Sequence, residues 1–294
     1  MDIAIVGSGV VGQATGMGFS VHGHDVLFHD IDDKKLLTLN SQGYETTSEV
    51  DVAVQNSKII FVCVPTPTID KKVSISYLSD AARNIGKALN SSRNFPVIAF
   101  RSTVTPQTTR TQIVPILEKY SGLEAGRDFG VCMNPEFLRA NSPLDDFLHP
   151  DRIVIGELEK RSGDILERLY SSFKSDIIRT DLDAAEMIKY ASNLFLASKI
   201  SFFNEMHMIC QELGVDSKIV SETVSLDKRI GTYGVYGGKP FSGMCFPKDL
   251  AGFITFAKSK GVNPKLLEAV EEINSQITAY NVKNKEKIEK RCLC

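Results

Sequence analysis

Tryptophan is absent from this 294-residue chain, and histidine is scarce, with five residues. The histidines show no metal-ligand spacing. His22 and His24 flank a glycine at a predicted turn, where a solvated or capping role fits better than ligation. A marked excess of charge of either sign is also lacking. The formal net charge is -2 and no long basic run precedes the C-terminus, which argues against nucleic-acid binding by bulk charge. No apolar run reaches about 18 residues, so no membrane span is predicted. The N-terminus enters a strand-like run without a charged leader or cleavage site, so no signal peptide is predicted and a cytoplasmic location is expected. The six cysteines, at positions 63, 132, 210, 245, 292 and 294, are too few for a disulfide scaffold in a chain this long. Several lie in apolar runs, as reduced thiols do. Cys292 and Cys294 form a Cys-Leu-Cys tail without further ligands, and no metal site is expected.

What is present is ample core material. With 43% hydrophobic and 24% charged residues, the chain can form one large or two smaller domains. Residues 2–6 read as a short buried strand, followed at once by Gly7-Ser-Gly-Val-Val-Gly12. A helix pattern runs through Ala14, Met17, Phe19 and Val21, and a second strand, Val26–Asp30, ends on an acid. Gly7 permits the tight turn, Gly9 lets backbone approach a diphosphate, and Gly12 lets helix and strand pack closely. The helix N-terminus, at Val10 and Val11, offers unpaired N–H groups to phosphates. Asp30 lies 18 residues after Gly12, where a carboxylate can accept from both ribose hydroxyls and would repel a 2′-phosphate. The pattern predicts dinucleotide binding, with NAD favoured over NADP. Lys35 either reaches the adenosine ribose or is simply solvated.

The alternation of strand and helix continues. Lys58–Val64 is an apolar strand suited to the middle of a parallel sheet. It runs into Pro65-Thr-Pro-Thr68. A helix fits 75–89, and strands fit 96–100, 129–133, 150–156 and 176–180. Thr66, Ser102 and Thr103 fall at the carboxyl edge of such a sheet, where ligands bind. Each could meet the nicotinamide end or merely cap a loop. From Leu182 to about Leu213 there is neither proline nor glycine, and apolar residues recur at helical spacing. This predicts one helix of about 45 Å, a connector and dimer spine, ended by Gly214. Lys189 and Asn193 share one face of it. Helical patterns follow at 217–225, 250–257 and 264–290. Ser242-Gly-Met-Cys-Phe-Pro-Lys-Asp249 sets a cysteine in a glycine- and proline-rich loop beside a lysine and an aspartate. Cys245 by itself fits a buried core thiol as well as a nucleophile.

The predicted fold is α/β: a Rossmann-type, doubly wound, mostly parallel sheet over residues 1–180, then an all-α central, dimerising domain with a long connecting helix over 181–294. Several motifs together resemble the nucleotide-sugar dehydrogenases, the UDP-glucose and GDP-mannose 6-dehydrogenases and their relatives. They are Gly7–Gly12 with Asp30, Val64-Pro-Thr-Pro67, Ser102-Thr-Val104, Asn134-Pro-Glu-Phe-Leu138, Pro150-Asp-Arg152, Lys189 with Asn193, Asn204-Glu205, Arg229-Ile-Gly231 and Cys245-Phe-Pro-Lys-Asp249.

The resemblance implies NAD-dependent oxidation of a nucleotide-linked hexose at C6, from alcohol to carboxylate, through a cysteine thioester. It implies Cys245 as nucleophile and Lys189 with Asn193 as stabilisers of the oxyanion. Asp249, Glu136 and Thr103 would serve the water and proton steps. Glu136, Phe137, Leu138, Lys189, Asn193, Arg229, Phe241 and Gly243 would contact the sugar substrate. Where the family usually has Glu-Gly after Asn-Pro-Glu-Phe-Leu-Arg, this chain has Ala140-Asn141, and Ser242 stands where the family has glycine. Family members usually continue into a second Rossmann-like domain that grips the nucleotide. This sequence, ending at Cys294, is expected to lack it and to bind nucleotide sugars weakly. The alternatives are a non-catalytic NAD-binding or dimerising protein, and a dehydrogenase of a smaller alcohol.

Overall fold

The computed structural model describes residues 1–89, 95–243 and 245–291, with side chains outside the helix end at 283–291. The chain forms two compact units. One comprises 1–67 and 73–189, the other 68–72 and 190–294. Cys292 and Cys294 lie outside the described residues.

The first unit opens with β1 (Asp2–Val6), α1 (Val10–Val21) and β2 (Asp25–His29), then α2 (Asp33–Ser41), β3 (Glu45–Thr47), α3 (Val50–Gln55) and β4 (Ile59–Val62). A short ribbon, β5 (Thr68–Ile69) and β6 (Lys72–Val73), which belongs to the second unit up to Lys72, precedes α4 (Ser76–Leu89) and β7 (Val97–Phe100) of the first. A π-helical turn, Thr109–Ile113, leads directly into α5 (Val114–Ser121). Pro115 explains the wide turn: it has no N–H to give to the preceding turn, so the helix begins over-wide. Then come β8 (Gly130–Met133), α6 (Pro143–Leu148), β9 (Arg152–Glu157), α7 (Lys160–Leu169) and β10 (Asp176–Asp181).

The main sheet has eight strands in the order β10-β9-β8-β7-β4-β1-β2-β3. All pairings are parallel except β8 with β9. The doubly wound, mostly parallel sheet is the one the sequence predicts. The short strand β3 and several of the connecting helices carry too weak a pattern to be read beforehand. Ile59–Val62 and Val97–Phe100 are buried throughout, as strands covered on both faces must be. One face packs α3, α4 and α5 through Leu78, Ile85, Ile113 and Leu117. The other packs α1, α6 and α7 around Phe19, whose ring meets Phe61, Phe147, Tyr170 and Phe173. Burying a phenylalanine of this kind contributes about 1.5–3 kcal/mol. Strand order reverses between β1 and β4, so the crevice beyond their carboxyl ends is the expected ligand position.

Helix α8 runs over 32 residues, Leu182–Leu213. Asp181 accepts the N–H of Ala184 at its start, and Gly214, with φ +69°, takes the left-handed conformation that ends it. The second unit adds α9 (Ser217–Val224), α10 (Phe246–Ser259) and α11 (Lys265–Arg291). Its core joins Tyr190, Leu194 and Ala197 to Phe241, Leu250, Phe253, Ile254 and Val270. Among the described residues no helix is long and apolar enough to cross a membrane.

Candidate active site

The glycine turn after β1 is held from below. Gly7 has φ +96°, and a Cβ there would meet backbone of Cys63 and Val64 at 2.9 Å, so only glycine lets the loops after β1 and β4 approach. A Cβ on Gly12 would fall 2.0 Å from the Gly7 carbonyl oxygen, whereas one on Gly9 would meet nothing within 4 Å. Gly9 therefore faces open space at the N-terminus of α1. That terminus has no side-chain cap and no acid in its first turn. Open space, bare N–H groups and a positive helix end are what a dinucleotide's diphosphate requires.

Asp30 follows β2 directly and is buried. It accepts the Ser8 N–H at 2.7 Å, the Asp32 N–H at 2.9 Å and the Lys35 ammonium at 3.1 Å. Burial alone would raise this carboxyl, but the donors together hold it below its ordinary range. Lys35 is the most exposed of the three partners. The cradle thus fits NAD. The part played by Ser8, whose hydroxyl also donates to the His29 carbonyl, was not legible in the glycine pattern. At the sheet's carboxyl edge, Thr66 donates to the Thr103 carbonyl and Ser102 to the Val64 carbonyl, each at 2.6 Å. These two hydroxyls lace the loops after β4 and β7 together. Val10 is exposed at the start of α1.

In the loop after β8, Asn134 accepts from Arg101 and from the Tyr170 hydroxyl, and donates to the Val154 carbonyl at 2.7 Å. Arg101 is buried against the Phe61 and Phe147 rings. A lone arginine directly after an apolar strand was the one sequence signal for this cluster. Two residues on, Glu136 accepts the Leu138 N–H at 2.6 Å and the Lys189 ammonium at 2.9 Å. Both side chains of this ion pair are buried. Burial acts to raise Glu136, yet Lys189, the Leu138 N–H and the Arg101 charge prevail and keep it ionised below its usual range. Phe137 carries the Arg152 guanidinium over its ring at 4.0 Å and lies 5.5 Å from the Lys189 ammonium. The first unit therefore gathers Glu136, Phe137, Leu138 and Lys189.

In the second unit Asn193 donates to Asp249 at 2.7 Å, and Lys248 donates to the other carboxylate oxygen at 2.6 Å. Asp249 is almost fully buried. The sequence pattern starts this helix at Leu250, but α10 begins at Phe246, with Pro247 in the first turn, where its missing N–H costs nothing. Cys245 is consequently the N-cap of a 14-residue helix rather than a mid-loop residue, and it is exposed. Gly243, at φ +87°, makes the turn before it. Phe241 is buried, and Asn274 on α11 binds both its N–H and its carbonyl. Asn204 accepts the Gly238 N–H and donates to the Lys239 carbonyl, and Asn281 donates to the Gly238 carbonyl. Neither Asn274 nor Asn281 was marked by any local pattern. Arg229 stands apart from these groups, exposed and paired with Asp227.

Residues 38–174 match the UDP-glucose/GDP-mannose dehydrogenase family, NAD binding domain, and residues 183–276 match the same family's central domain. The chain is 35% identical to a UDP-glucose 6-dehydrogenase of Haloferax volcanii over 93% of its own length and 69% of the relative's. It is 37% identical to a Bacillus subtilis UDP-glucose 6-dehydrogenase over 93% of its length and 63% of that protein's. It superimposes on a UDP-glucose dehydrogenase from Pyrobaculum islandicum with a TM-score of 0.92 at 33% identity, covering 98% of this chain and 71% of that one. The chain thus spans about two thirds of the length of these relatives. With an NAD cradle, the Glu136–Lys189 pair and the Asn193–Asp249 pair in place, it belongs to the UDP-glucose/GDP-mannose dehydrogenase family.

Proposed function

We propose that the chain carries out the NAD-dependent, four-electron oxidation of the C6 alcohol of a nucleotide sugar such as UDP-glucose to the uronate, through a thioester on Cys245. The observation that carries this is Cys245 itself. Among the described cysteines it is the exposed one, and it stands at the N-terminus of a helix, which favours a thiolate. Bound NAD supplies the hydride acceptor for each of the two oxidations, two molecules per sugar. Lys189, with Asn193, stabilises the alkoxide of the first oxidation and the oxyanion of the second. The Cys245 thiolate adds to the C6 aldehyde to form a thiohemiacetal, and loss of a second hydride leaves a thioester. Glu136, held ionised, takes a proton from the attacking water. The carbon–sulfur bond then breaks, releasing the carboxylate and the Cys245 thiolate. Asp249 orients water or accepts a proton, with Thr103 assisting. Phe137, Leu138, Phe241 and Gly243 contact the sugar, and Arg229, exposed and away from these groups, reaches a sugar ring across the dimer interface. A reducing compartment such as the cytoplasm would keep the thiol free.

The test is NADH stoichiometry with a panel of nucleotide sugars and free hexoses. Two NADH per nucleotide sugar are expected, with Cys245→Ser stalling after the first oxidation or losing turnover by at least about a thousandfold. Undiminished two-hydride turnover in Cys245→Ser would remove the thioester. Firm NAD binding without turnover would leave a cofactor-binding, non-catalytic chain, and turnover of free hexoses a dehydrogenase of smaller alcohols.

We also propose a homodimer built on α8. Phe195, Phe202, Ile209 and Leu213 are exposed on one side of this helix at spacings of seven, seven and four. Sedimentation should give a dimer that Phe202→Glu dissociates, and a wild-type monomer at micromolar concentration would count against it.

A further inference from the structure

Glu186 is a fully buried carboxyl that the proposed chemistry leaves unused. It lies on α8, one turn before Lys189, among Leu182, Ala185 and Ile188, which pack into the core of the first unit. An acid in such surroundings breaks the ordinary rule for helix faces, and such exceptions concentrate where function requires them. Burial pushes this carboxyl up to about 7, against the pull of the Thr109 and Gln107 backbone N–H groups and with the repulsion of Asp183 on its own helix. What the buried acid does in return is geometric. Its Oε1 accepts the Thr109 N–H at 2.8 Å, at the first residue of the π-helical turn. Gln107, two residues earlier, is held at φ +77°, a left-handed conformation that costs a non-glycine residue free energy. Between this anchor and β7 lies the loop of Ser102 and Thr103. Its other end is laced to the loop after β4 through Ser102 to Val64 and Thr66 to Thr103. A second link joins the same two elements, Arg110 to Asp183 at 3.4 Å, but it is exposed and correspondingly weak.

We propose that Glu186 is a positioning residue for the cofactor: it fastens the strained turn at Gln107–Thr109 to α8, and so fixes the Ser102–Thr103 loop that receives the nicotinamide end of NAD. This rests on the cofactor reading of the cradle. Glu186 acts through the loop and touches neither cofactor nor substrate.

The experiment compares Glu186→Gln, which keeps an acceptor oxygen, with Glu186→Met, which keeps shape and helix preference but offers only a weakly accepting sulfur. NAD affinity is measured by calorimetry, and backbone hydrogen exchange over 102–109 is followed in the cofactor-free chain. Glu186→Met should raise the NAD dissociation constant about tenfold and speed exchange over 102–109, while Glu186→Gln stays within about threefold of wild type on both. Wild-type affinity and exchange in a folded Glu186→Met chain would overturn the proposal, as would a Gln variant that loses as much as Met. If the Met variant does not fold, Glu186→Leu serves in its place under the same two outcomes. A wild-type chain that fails to bind NAD overturns the cofactor reading, and the exchange measurement still decides whether Glu186 holds the loop.

Discussion

Cys132 and Cys245 present the same side chain in opposite settings. Cys132 lies within β8, fully buried, and burial pushes its thiol up to about 12. Cys245 caps α10 and is exposed. The first is a small apolar filler of a sheet, the second a sulfur presented at the positive end of a helix dipole. The two buried acids share more, since each meets a lysine ammonium. In the first unit Glu136 is matched by an ammonium and kept ionised. In the second, Asp249 is shared between a neutral amide and a lysine. The same side chain is thus given different surroundings at different places in this chain.

The widest separation should come from alkylation. Iodoacetamide should label Cys245 at least about a thousandfold faster than Cys132 in the native chain, read by peptide mass spectrometry. Comparable rates would erase the contrast. The next effect is on the ion pair. Lys189→Met strands a buried carboxylate, and breaking such a pair costs about 3–5 kcal/mol by urea unfolding at pH 7. The sign follows from Glu136, whose folded-state carboxyl lies below its ordinary range. Its contribution to stability is present above the unfolded carboxyl range and is lost as pH falls through the folded one. In Lys189→Met burial acts on Glu136 without the ammonium that opposed it, so the stranded carboxyl takes up a proton more readily and the deficit should shrink as pH is lowered toward 4. The smallest effect belongs to the double variant Lys189→Met with Glu136→Gln, which leaves no charge stranded and should recover much of the loss. Equal losses in single and double variants would show that the pair matters for packing alone.

Much of the cradle was legible because it is local. Strand, glycine turn, helix and acid follow one another within about thirty residues; Gly7 and Gly12 answer steric demands of their neighbours, and Gly9 leaves open space. The long helix was legible for the same reason: thirty-two residues without proline or glycine, closed by Gly214. What escaped was non-local or depended on a helix start. The Arg101–Asn134–Tyr170 cluster joins residues up to 69 positions apart. Asn274 reaches back 33 residues to hold Phe241. The early start of α10 was hidden because proline reads as a breaker, although at a helix's first turn its missing N–H is no loss.

The sequence by itself determined the alternating α/β order, the dinucleotide cradle, the long helix and, through motifs in their family order, the chain's kinship. Periodicity and turn chemistry act between neighbouring residues and can be read one after another. Only the tertiary structure decided which groups are buried together: that Glu136 meets Lys189 and stays charged, that Asp249 is clasped by Asn193, and that Glu186 is sunk in the core with its carboxyl on the Thr109 backbone. Charge state and reactivity depend on desolvation and on partners far away in the chain, which no local pattern records.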